Sequence, residues 1–287
     1  MIKLGLARSR RHARDLLASG RLRVDGRYPR KGAQITEACA VELLSDAEAV
    51  VIRPNPALDI PVLYGDPILL IVNKPALLPC HPLRPDEIDT VMNGVAAKYP
   101  ETALCGDKPL EGGLIHRLDN GTSGALMIAR TATAVNQLRA DLRQGKIVRE
   151  YRAVVSGDIA EPVEINSAIA HHPHNRRKMV TNQAGRSRAR PAFTTVAPLG
   201  RYGDFTLVAV RPRTGCRHQI RVHLASIGHP LAGDAMYGGI ASAQLLPGRV
   251  WLHLAAVDVD TPSCGRAHVE APLPADLAEH LMSIEEH

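Results

Sequence analysis

The segment 114–129 reads LIHRLDNGTSGALMIA, two apolar runs joined by a polar loop that contains glycine. The runs Leu114-Ile115 and Ala125 to Ala129 are predicted to be strands, because short apolar runs bounded by turn residues are typical of buried strands. Polar residues in a loop that a rigid sheet carries often form functional sites. The loop therefore predicts either a site around Asp119 or a turn in which its polar side chains cap their own backbone.

Strand and helix patterns alternate on both sides of this segment. β-Branched and apolar residues predict strands at Ile68 to Val72, Ile147 to Val155 and Phe205 to Val210. Capping residues and apolar spacing predict helices from Thr90 towards Tyr99, from Thr131 or Thr133 to Gly145, and from about Arg217 to Gly228. Aromatic residues make up only 3% of the chain, so the core is expected to be aliphatic. These elements predict an α+β fold with a central, mainly antiparallel sheet flanked by helices and loops.

The positive charge of the chain is concentrated at its N-terminus. The first 31 residues contain ten basic and two acidic residues, whereas the formal net charge of the whole chain is +6. A helix capped by Ser9, an Asp25-Gly26 hairpin turn and a strand from Ala40 to Leu44 would form a small α/β unit. Three arginines lie mainly on the polar side of that helix: Arg10, Arg11 and Arg14. The pattern favours a module that binds a polyanion, with a transit peptide or a solvated surface as the alternatives.

A proline-rich linker divides the chain. Pro54, Pro56 and Pro61 fall between Arg53 and Leu63, and proline stiffens a segment and removes backbone donors. The expected domains are therefore a module at 1–53 and a larger domain at 63–287.

Composition excludes several classes of protein. The longest obvious apolar run, Ile68 to Val72, is too short for a membrane span, and arginines interrupt any N-terminal secretory signal. The five cysteines are odd in number and contain no Cys-x-x-Cys pair, which favours reduced thiols in a cytoplasmic protein. Neither a zinc-binding spacing nor a glycine-rich nucleotide-binding loop occurs, so no metal and no cofactor are expected. A monomer is the default expectation.

A second polar cluster runs from Arg211 to His223. If a helix begins near Arg217, then Arg217 and Arg221 share one face, and like charges four residues apart repel each other. An anion would relieve that repulsion, and arginine suits either phosphate or a catalytic carboxylate through paired hydrogen bonds. A solvated helix with two arginines is the alternative.

Ser123 and His116 raise the possibility of a serine hydrolase. The nucleophile elbow requires Gly-x-Ser-x-Gly, whereas the chain reads Gly121-Thr122-Ser123-Gly124-Ala125 and lacks the final glycine. Closeness in sequence is weak evidence for a triad, because triads are defined by geometry. The sequence therefore disfavours a hydrolase.

Several motifs together resemble a known family. His116-Arg117-Leu118-Asp119 followed by Thr122-Ser123-Gly124 is similar to the signature of the RluA-type pseudouridine synthases. The motifs in other parts of the chain resemble the family's first strand, its tyrosine-bearing strand and its arginine motif: Asn73-Lys74-Pro75, Arg149 to Ala153 and His218 to His223. They follow the family order, and the N-terminal unit is similar to RNA-binding modules of the ribosomal-protein S-four type.

The resemblance implies a pseudouridine synthase fold and the isomerisation of uridine in RNA to pseudouridine, without a cofactor. Asp119 would be the catalytic carboxylate and would act on the ribose either as nucleophile or as base. Arg221 would pair with Asp119 and hold it ionised, and Ile220 would form an apolar wall beside it. Tyr151 would stack on the target base and take part in removing the proton from carbon 5.

The resemblance also implies how RNA would be held. The target uridine must leave its helix or be presented by a loop, and Arg117 would fill the space that it vacates. Arg10, Arg11 and Arg14 would bind RNA phosphates. Large-subunit ribosomal RNA is the favoured substrate and transfer RNA the alternative, while a non-catalytic RNA-binding protein is less favoured because Asp119 is present. Gly215-Cys216-Arg217 departs from the usual Gly-Arg-Thr or Gly-Arg-Ser, so Arg217 is not included among the expected catalytic residues.

Overall fold

A computed structural model of the protein describes residues 9, 13, 16, 22–29, 39–44, 51–181, 189–240 and 245–285. Near the N-terminus, strands β1 (Leu22–Val24) and β2 (Val41–Leu43) pair antiparallel. Asp25 and Gly26 form the turn after β1 with φ values of 50° and 71°, as a tight Asp-Gly turn requires. The predicted hairpin turn and closing strand are therefore confirmed, whereas Arg10, Arg11 and Arg14 lie outside the described residues.

Four α-helices follow in the described residues from 51 to 285. They are α1 (Val91–Lys98), α2 (Ala132–Arg143), α3 (Gln219–Ser226) and α4 (Ala275–Glu285), and a 3-10 helix spans Pro100–Leu104. Thr131 caps α2 by accepting a hydrogen bond from the backbone N–H of Ala134. The first three helices were predicted from the sequence, and their ends differ from the prediction by about two residues.

One large sheet organises the chain. Its nine strands, as far as the chain is described, are β3 (Val62–Gly65), β4 (Leu69–Lys74), β5 (Ser123–Ala129), β6 (Ile147–Ser156), β7 (Val163–Asn166), β10 (Phe193–Tyr202), β11 (Phe205–Pro212), β12 (Leu252–Thr261) and β13 (Gly265–Glu270). They lie in the order β3-β4-β5-β12-β6-β11-β10-β7, with β13 beside β12. Among the strand pairings of the described residues, only that of β5 with β12 is parallel, which confirms the predicted mainly antiparallel sheet. A separate hairpin pairs β8 (Ile169–His171) with β9 (Met179–Thr181).

Strand β5 lies in the interior of the sheet, between β4 and β12. All seven of its residues are buried, which explains its continuous apolar sequence, because a strand covered on both faces has no polar side. The surrounding core is mostly aliphatic, as the low aromatic content predicts. The polar loop that precedes β5 is therefore carried by the most buried part of the fold.

Two predictions about local structure are wrong. Leu114-Ile115 is not a strand, because Leu114 forms only an isolated bridge with Ile128 where the chain crosses the end of β5. The proline-rich segment is not a free linker, because Ile52 and Ile60 are buried in the main core. The backbone of this segment also approaches α1 so closely that a Cβ at Gly94 would lie 2.7 Å from the Leu58 carbonyl oxygen. Contacts with distant elements decided the structure in both cases.

Within the ranges that the structure describes, no helix has the length and apolar character needed to cross a membrane.

Candidate active site

The loop from His116 to Thr122 leads into β5 and carries Asp119 near its middle. The backbone turns at this point, because the N–H of Thr122 donates to the carbonyl of Asp119 at 3.0 Å. The side chain of Asp119 is 29% exposed, so its carboxylate is open to a ligand, whereas Leu118 and Thr122 are buried. The loop is therefore both a turn and an accessible site, which were the two interpretations of its sequence.

Lys74, at the end of β4, is a buried anchor for this loop. Its Nζ donates to the carbonyl oxygens of Pro75 and Thr122, both at 2.8 Å, and to that of Asn120 at 3.4 Å. Its side chain is fully buried, and burial lowers the pKa of Lys74 to about 8. An ammonium group in such a position requires its carbonyl partners, so it fixes the backbone just after Asp119.

Arg249 is a second buried anchor. Its Nη1 donates to the Gly121 carbonyl at 2.7 Å and its Nη2 to the Ser123 hydroxyl at 2.9 Å. Its Nε donates to Asp276 at 2.7 Å, which links the loop to helix α4. Together, Lys74 and Arg249 bind three consecutive carbonyls of the loop, so the backbone that carries Asp119 is rigid.

Ser123 is not placed for nucleophilic catalysis. Its hydroxyl lies 2.9 Å from Nδ1 of His253, and its side chain is buried within the Arg249 network. His116 instead uses Nε2 to accept the backbone N–H of Met127 at 3.3 Å. The serine hydrolase interpretation therefore has no accessible serine and no His116–Ser123 contact to support it.

Helix α3 places Arg221 against Asp119. Nη1 of Arg221 donates to Oδ2 of Asp119 at 3.0 Å, while Nε and Nη2 donate to the two oxygens of Asp234 at 2.7 and 2.8 Å. Burial alone would lower the pKa of Arg221, but the hydrogen bond to Asp234 and the charge of Asp119 raise it above its ordinary value. The buried carboxylate of Asp234 fixes the guanidinium, which in turn presents one charged donor to the exposed carboxylate.

His218 faces Oδ1 of Asp119, the carboxylate oxygen that Arg221 does not bind. Its Nε2 is 3.9 Å from Oδ1 of Asp119, and its Nδ1 is 2.9 Å from the hydroxyl of Tyr237. That hydroxyl accepts the backbone N–H of Met179 at 2.8 Å. Burial lowers the pKa of His218, which favours the neutral ring. In the neutral tautomer whose Nδ1 accepts from Tyr237, the Nε2–H faces Asp119.

Tyr151, on β6, borders the same site. It is 5% exposed and belongs to the same core cluster as Ile220 and Leu118. Burial raises the pKa of Tyr151, and the negative charge of Asp119 raises it further, while Arg149 lowers it. The phenol is therefore close enough to Asp119 for their charges to interact.

The comparisons with known proteins point to one enzyme family. Residues 68–226 match the family model described as RNA pseudouridylate synthase. The chain belongs to the RNA pseudouridylate synthase family. It is 35% identical over 259 residues to ribosomal large subunit pseudouridine synthase D of Neisseria meningitidis serogroup A, which covers 86% of this chain and 67% of that protein. The protein of the same name from Pseudomonas aeruginosa is 33% identical over 281 residues, covering 92% of this chain and 85% of that protein.

A solved structure of the family has the same fold. Human RNA pseudouridylate synthase domain containing 1 superposes with a TM-score of 0.60 at 27% sequence identity, covering 77% of this chain and 86% of that chain. The predicted pseudouridine synthase fold is thus confirmed, and the chain is an isomerase of the family, which acts on RNA. The expected N-terminal module of the S-four type stays a prediction.

In this pseudouridine synthase, the sequence-predicted residues divide into two groups. Arg221 contacts Asp119, and Tyr151 is near enough to Asp119 for their charges to interact. Ile220 is buried in the same core cluster as Tyr151. Arg117 does not join them, because its side chain is 63% exposed and its nearest carboxylate, that of Glu111, is 3.9 Å away.

The predicted repulsion between Arg217 and Arg221 does not occur. Arg217 precedes α3, is exposed, and donates to the carbonyl of Arg176 at 3.2 Å. Arg221 is buried and takes carboxylates as its partners. Of the two anions that the sequence suggested, phosphate and a carboxylate, the structure shows carboxylates, and they pair with Arg221 and not with Arg217.

Sequence reasoning missed four side chains of this synthase that support the site. Three of them stood within or beside the motifs that suggested the family, but had no assigned role: Lys74, His218 and Asp234. The signal that points to Lys74 is a lysine at the end of a strand that is otherwise apolar. No local signal indicated Arg249, because its partners lie on the distant loop and on α4.

Proposed function

We propose that this chain isomerises uridine to pseudouridine in large-subunit ribosomal RNA, with Asp119 as its catalytic carboxylate. The observation that carries the proposal is the partly exposed carboxylate of Asp119, held by a buried Arg221–Asp234 pair in a member of the RNA pseudouridylate synthase family. Ribosomal RNA is favoured because the relatives from Neisseria meningitidis and Pseudomonas aeruginosa are named for the large ribosomal subunit.

The rigid loop supports a role for Asp119 in chemistry at the ribose. Its carboxylate is on a rigid loop, so it can be aimed at the anomeric carbon or at a ribose proton without reorganisation during the reaction. As a nucleophile it would form a bond to the ribose when the glycosidic bond breaks, and as a base it would remove a ribose proton. Arg221 would orient the carboxylate through its charged hydrogen bond in either case.

Tyr151 and Ile220 would hold the detached uracil. Both belong to the same buried core cluster, and an aromatic ring together with an aliphatic side chain would favour stacking of a planar base. The base would turn between them and rejoin the ribose through carbon 5. Because the isomerisation moves no electrons or groups to or from another molecule, the residues described need no cofactor.

Arg117 would contact RNA rather than Asp119. Its side chain is exposed and lies two residues before Asp119, so a cation there could enter the space left by a flipped nucleotide. We expect Arg117→Ala to weaken binding of a structured RNA more than binding of an unpaired one, because only the structured RNA must lose a stacked base. Equal losses for both RNAs would argue against this role.

The N-terminal segment would serve as an RNA-holding module. Ten basic residues among the first 31 give this segment a net positive charge, and Arg10, Arg11 and Arg14 are the expected phosphate contacts. A deletion of residues 1–50 tests this while retaining Ile52, which packs in the main core. We expect lower RNA affinity and a smaller dependence of affinity on salt. Unchanged affinity at low and high salt would contradict the module.

The substrate is tested by mapping pseudouridine across total RNA from cells with and without this protein. We expect one or more sites in large-subunit ribosomal RNA to disappear, while sites confined to transfer RNA would overturn the choice of substrate. In keeping with a ribosomal substrate and reduced cysteines, we propose that the protein acts in the cytoplasm. It is proposed to act as a monomer, which sedimentation of the purified chain can test.

A further inference from the structure

Arg149 is a buried cation with an unused donor. It precedes Tyr151 by two residues on β6, so both side chains lie on the same face of the sheet. The residue is 8% exposed, and Nη2 donates to the carbonyls of Thr214 at 3.0 Å and Pro212 at 3.4 Å. Nε is buried and has no hydrogen-bond partner. Among the described residues, no carboxylate lies within 4.0 Å of this guanidinium.

The absence of a carboxylate sets Arg149 apart from the other buried arginines near the site. Arg221 is paired with Asp234, and Arg249 is paired with Asp276. A buried charge is normally paired, because burial removes its hydration, and an unsatisfied buried donor adds a further cost. An arginine left in this state is suited to a neighbour that becomes negatively charged during the reaction.

Tyr151 is that neighbour. The titratable groups that face its phenol are Arg149 on the same strand, Asp119 in the loop before β5, and Cys80 after β4. Burial, Asp119 and Cys80 all raise the pKa of Tyr151, and Arg149 is the group that opposes them. His116 also lies near Arg149, but burial lowers the pKa of His116 to about 3, so it adds no charge.

We propose that Arg149 is a positioning residue that acts through Tyr151: it orients the phenol and stabilises the phenolate that takes the proton from carbon 5. This inference rests on the proposed function. Nη2 is fixed by two carbonyls, so the guanidinium is anchored on the face of β6 that also carries Tyr151.

The step balances without any additional reactant except water. Once uracil is rejoined through carbon 5, that carbon carries both the ribose and its original hydrogen. The phenol of Tyr151 first gives its proton to water. The resulting phenolate takes the proton from carbon 5 and becomes a phenol again, and the C5–H electron pair forms the C5–C6 double bond. The C6–N1 π pair moves onto N1, which takes up a proton from water, so that Tyr151 ends as the phenol from which it started.

A double-mutant cycle separates this role from a structural one. Pseudouridine formation is measured in single turnover for the parent, Arg149→Gln, Tyr151→Phe and the double variant. We expect Arg149→Gln to lower the rate about tenfold or more, and to lower it little further once Tyr151 is phenylalanine. Arg149→Lys, which keeps the charge, should recover most of the rate. Arg152→Gln, on the opposite face of β6, is the matched control and should stay within about twofold of the parent.

A spectroscopic titration checks the same idea without turnover. The protein is labelled with 3-fluorotyrosine, and the Tyr151 resonance is assigned by its loss in Tyr151→Phe. We expect the fluorine signal of Tyr151 to titrate at a higher pH in Arg149→Gln than in the parent. We also expect the rate of Arg149→Gln to recover partly as the pH rises.

The outcomes distinguish the failure of this inference from the failure of the proposed function. If the parent forms no pseudouridine, or Asp119→Asn is as active as the parent, the proposed function fails. If the parent is active but the losses of Arg149→Gln and Tyr151→Phe simply multiply, Arg149 only ties β6 to the loop at Thr214 and this inference is wrong. An unchanged titration of Tyr151 in a folded Arg149→Gln protein also overturns it.

Discussion

Replacing Lys74 with methionine separates the stability of the fold from the placement of the catalytic loop. Burial of the ammonium lowers its pKa from an ordinary value of 10.5 to about 8, which corresponds to about 3 kcal/mol of unfavourable burial. Against this, Lys74→Met removes two charged hydrogen bonds of 2.8 Å, each contributing about 1.5–3 kcal/mol. These opposing effects leave a net destabilisation of only about 0–3 kcal/mol.

In Lys74→Met, the rate of pseudouridine formation should be affected more strongly than the free energy of unfolding. Without Lys74, the carbonyl of Thr122 loses its buried donor and that of Asn120 keeps the N–H of Leu77, so the loop can relax around Asp119 on the Thr122 side. A misplacement of about 1 Å at a reacting group costs about 100-fold in rate, so a 10- to 100-fold decrease is expected. The assay is single-turnover pseudouridine formation combined with urea unfolding. Lys98→Met, on an exposed pair with Asp59, is the matched control and should leave both quantities unchanged.

The pH dependence of stability gives an independent check. Because the pKa of Lys74 is lower in the folded state, the folded protein loses this proton first as the pH rises from about 8. The unfolded chain then holds more protons, so the contribution of this group to stability rises with pH, by about 2 kcal/mol from pH 7 to pH 9.5. Lys74→Met should lack this rise. A variant with parental activity, or one with an unaltered pH profile of stability, would refute the reasoning.

Two further predictions use matched variants. Asp234→Asn removes the buried carboxylate that holds Arg221, so it should lower the melting temperature by several degrees and the single-turnover rate by about tenfold or more. Asp158→Asn, which alters an exposed ion pair with Arg201, is the control and should change neither quantity. Equal effects of the two variants would contradict a structural role for the Arg221–Asp234 pair. Gly124→Ala places a Cβ 2.2 Å from a backbone oxygen of β12 at a φ of 115°, so it should lower the free energy of unfolding by about 3 kcal/mol or more. Gly145→Ala, which also has a positive φ but has open space around it, should lower it by about 1 kcal/mol. Chemical denaturation measures both values, and similar values would show that β5 and β12 can separate.

Local signals predicted much of the fold. Thr131 caps its helix, Asp25 and Gly26 take positive φ, and β5 is buried throughout, because each feature depends on nearby residues. The Leu114-Ile115 strand was wrong for the opposite reason. Those residues are apolar enough for a strand, but the neighbouring chain offers them only one bridge.

The site was predictable where a motif carried it and unpredictable where contacts between distant segments completed it. Asp119 and Arg221 are 102 positions apart in the chain, and only the family resemblance joined them before the fold was known. Nothing in local periodicity shows that Arg249 reaches Gly121, or that Arg149 has a partner for one end of its guanidinium and none for Nε. Such features depend on the order of the strands, which brings β4, β5, β6 and β12 together.

The most direct test of the account is release of tritium from ribosomal RNA labelled at carbon 5 of uridine. The parent protein and Asp119→Asn, which keeps the shape of the side chain but not its charge, are compared in single turnover, with melting temperature as the check on folding. Our account predicts release by the parent and a rate at least about 10⁴-fold lower for Asp119→Asn. Equal release by the two folded proteins would contradict the assignment of Asp119 as the catalytic carboxylate.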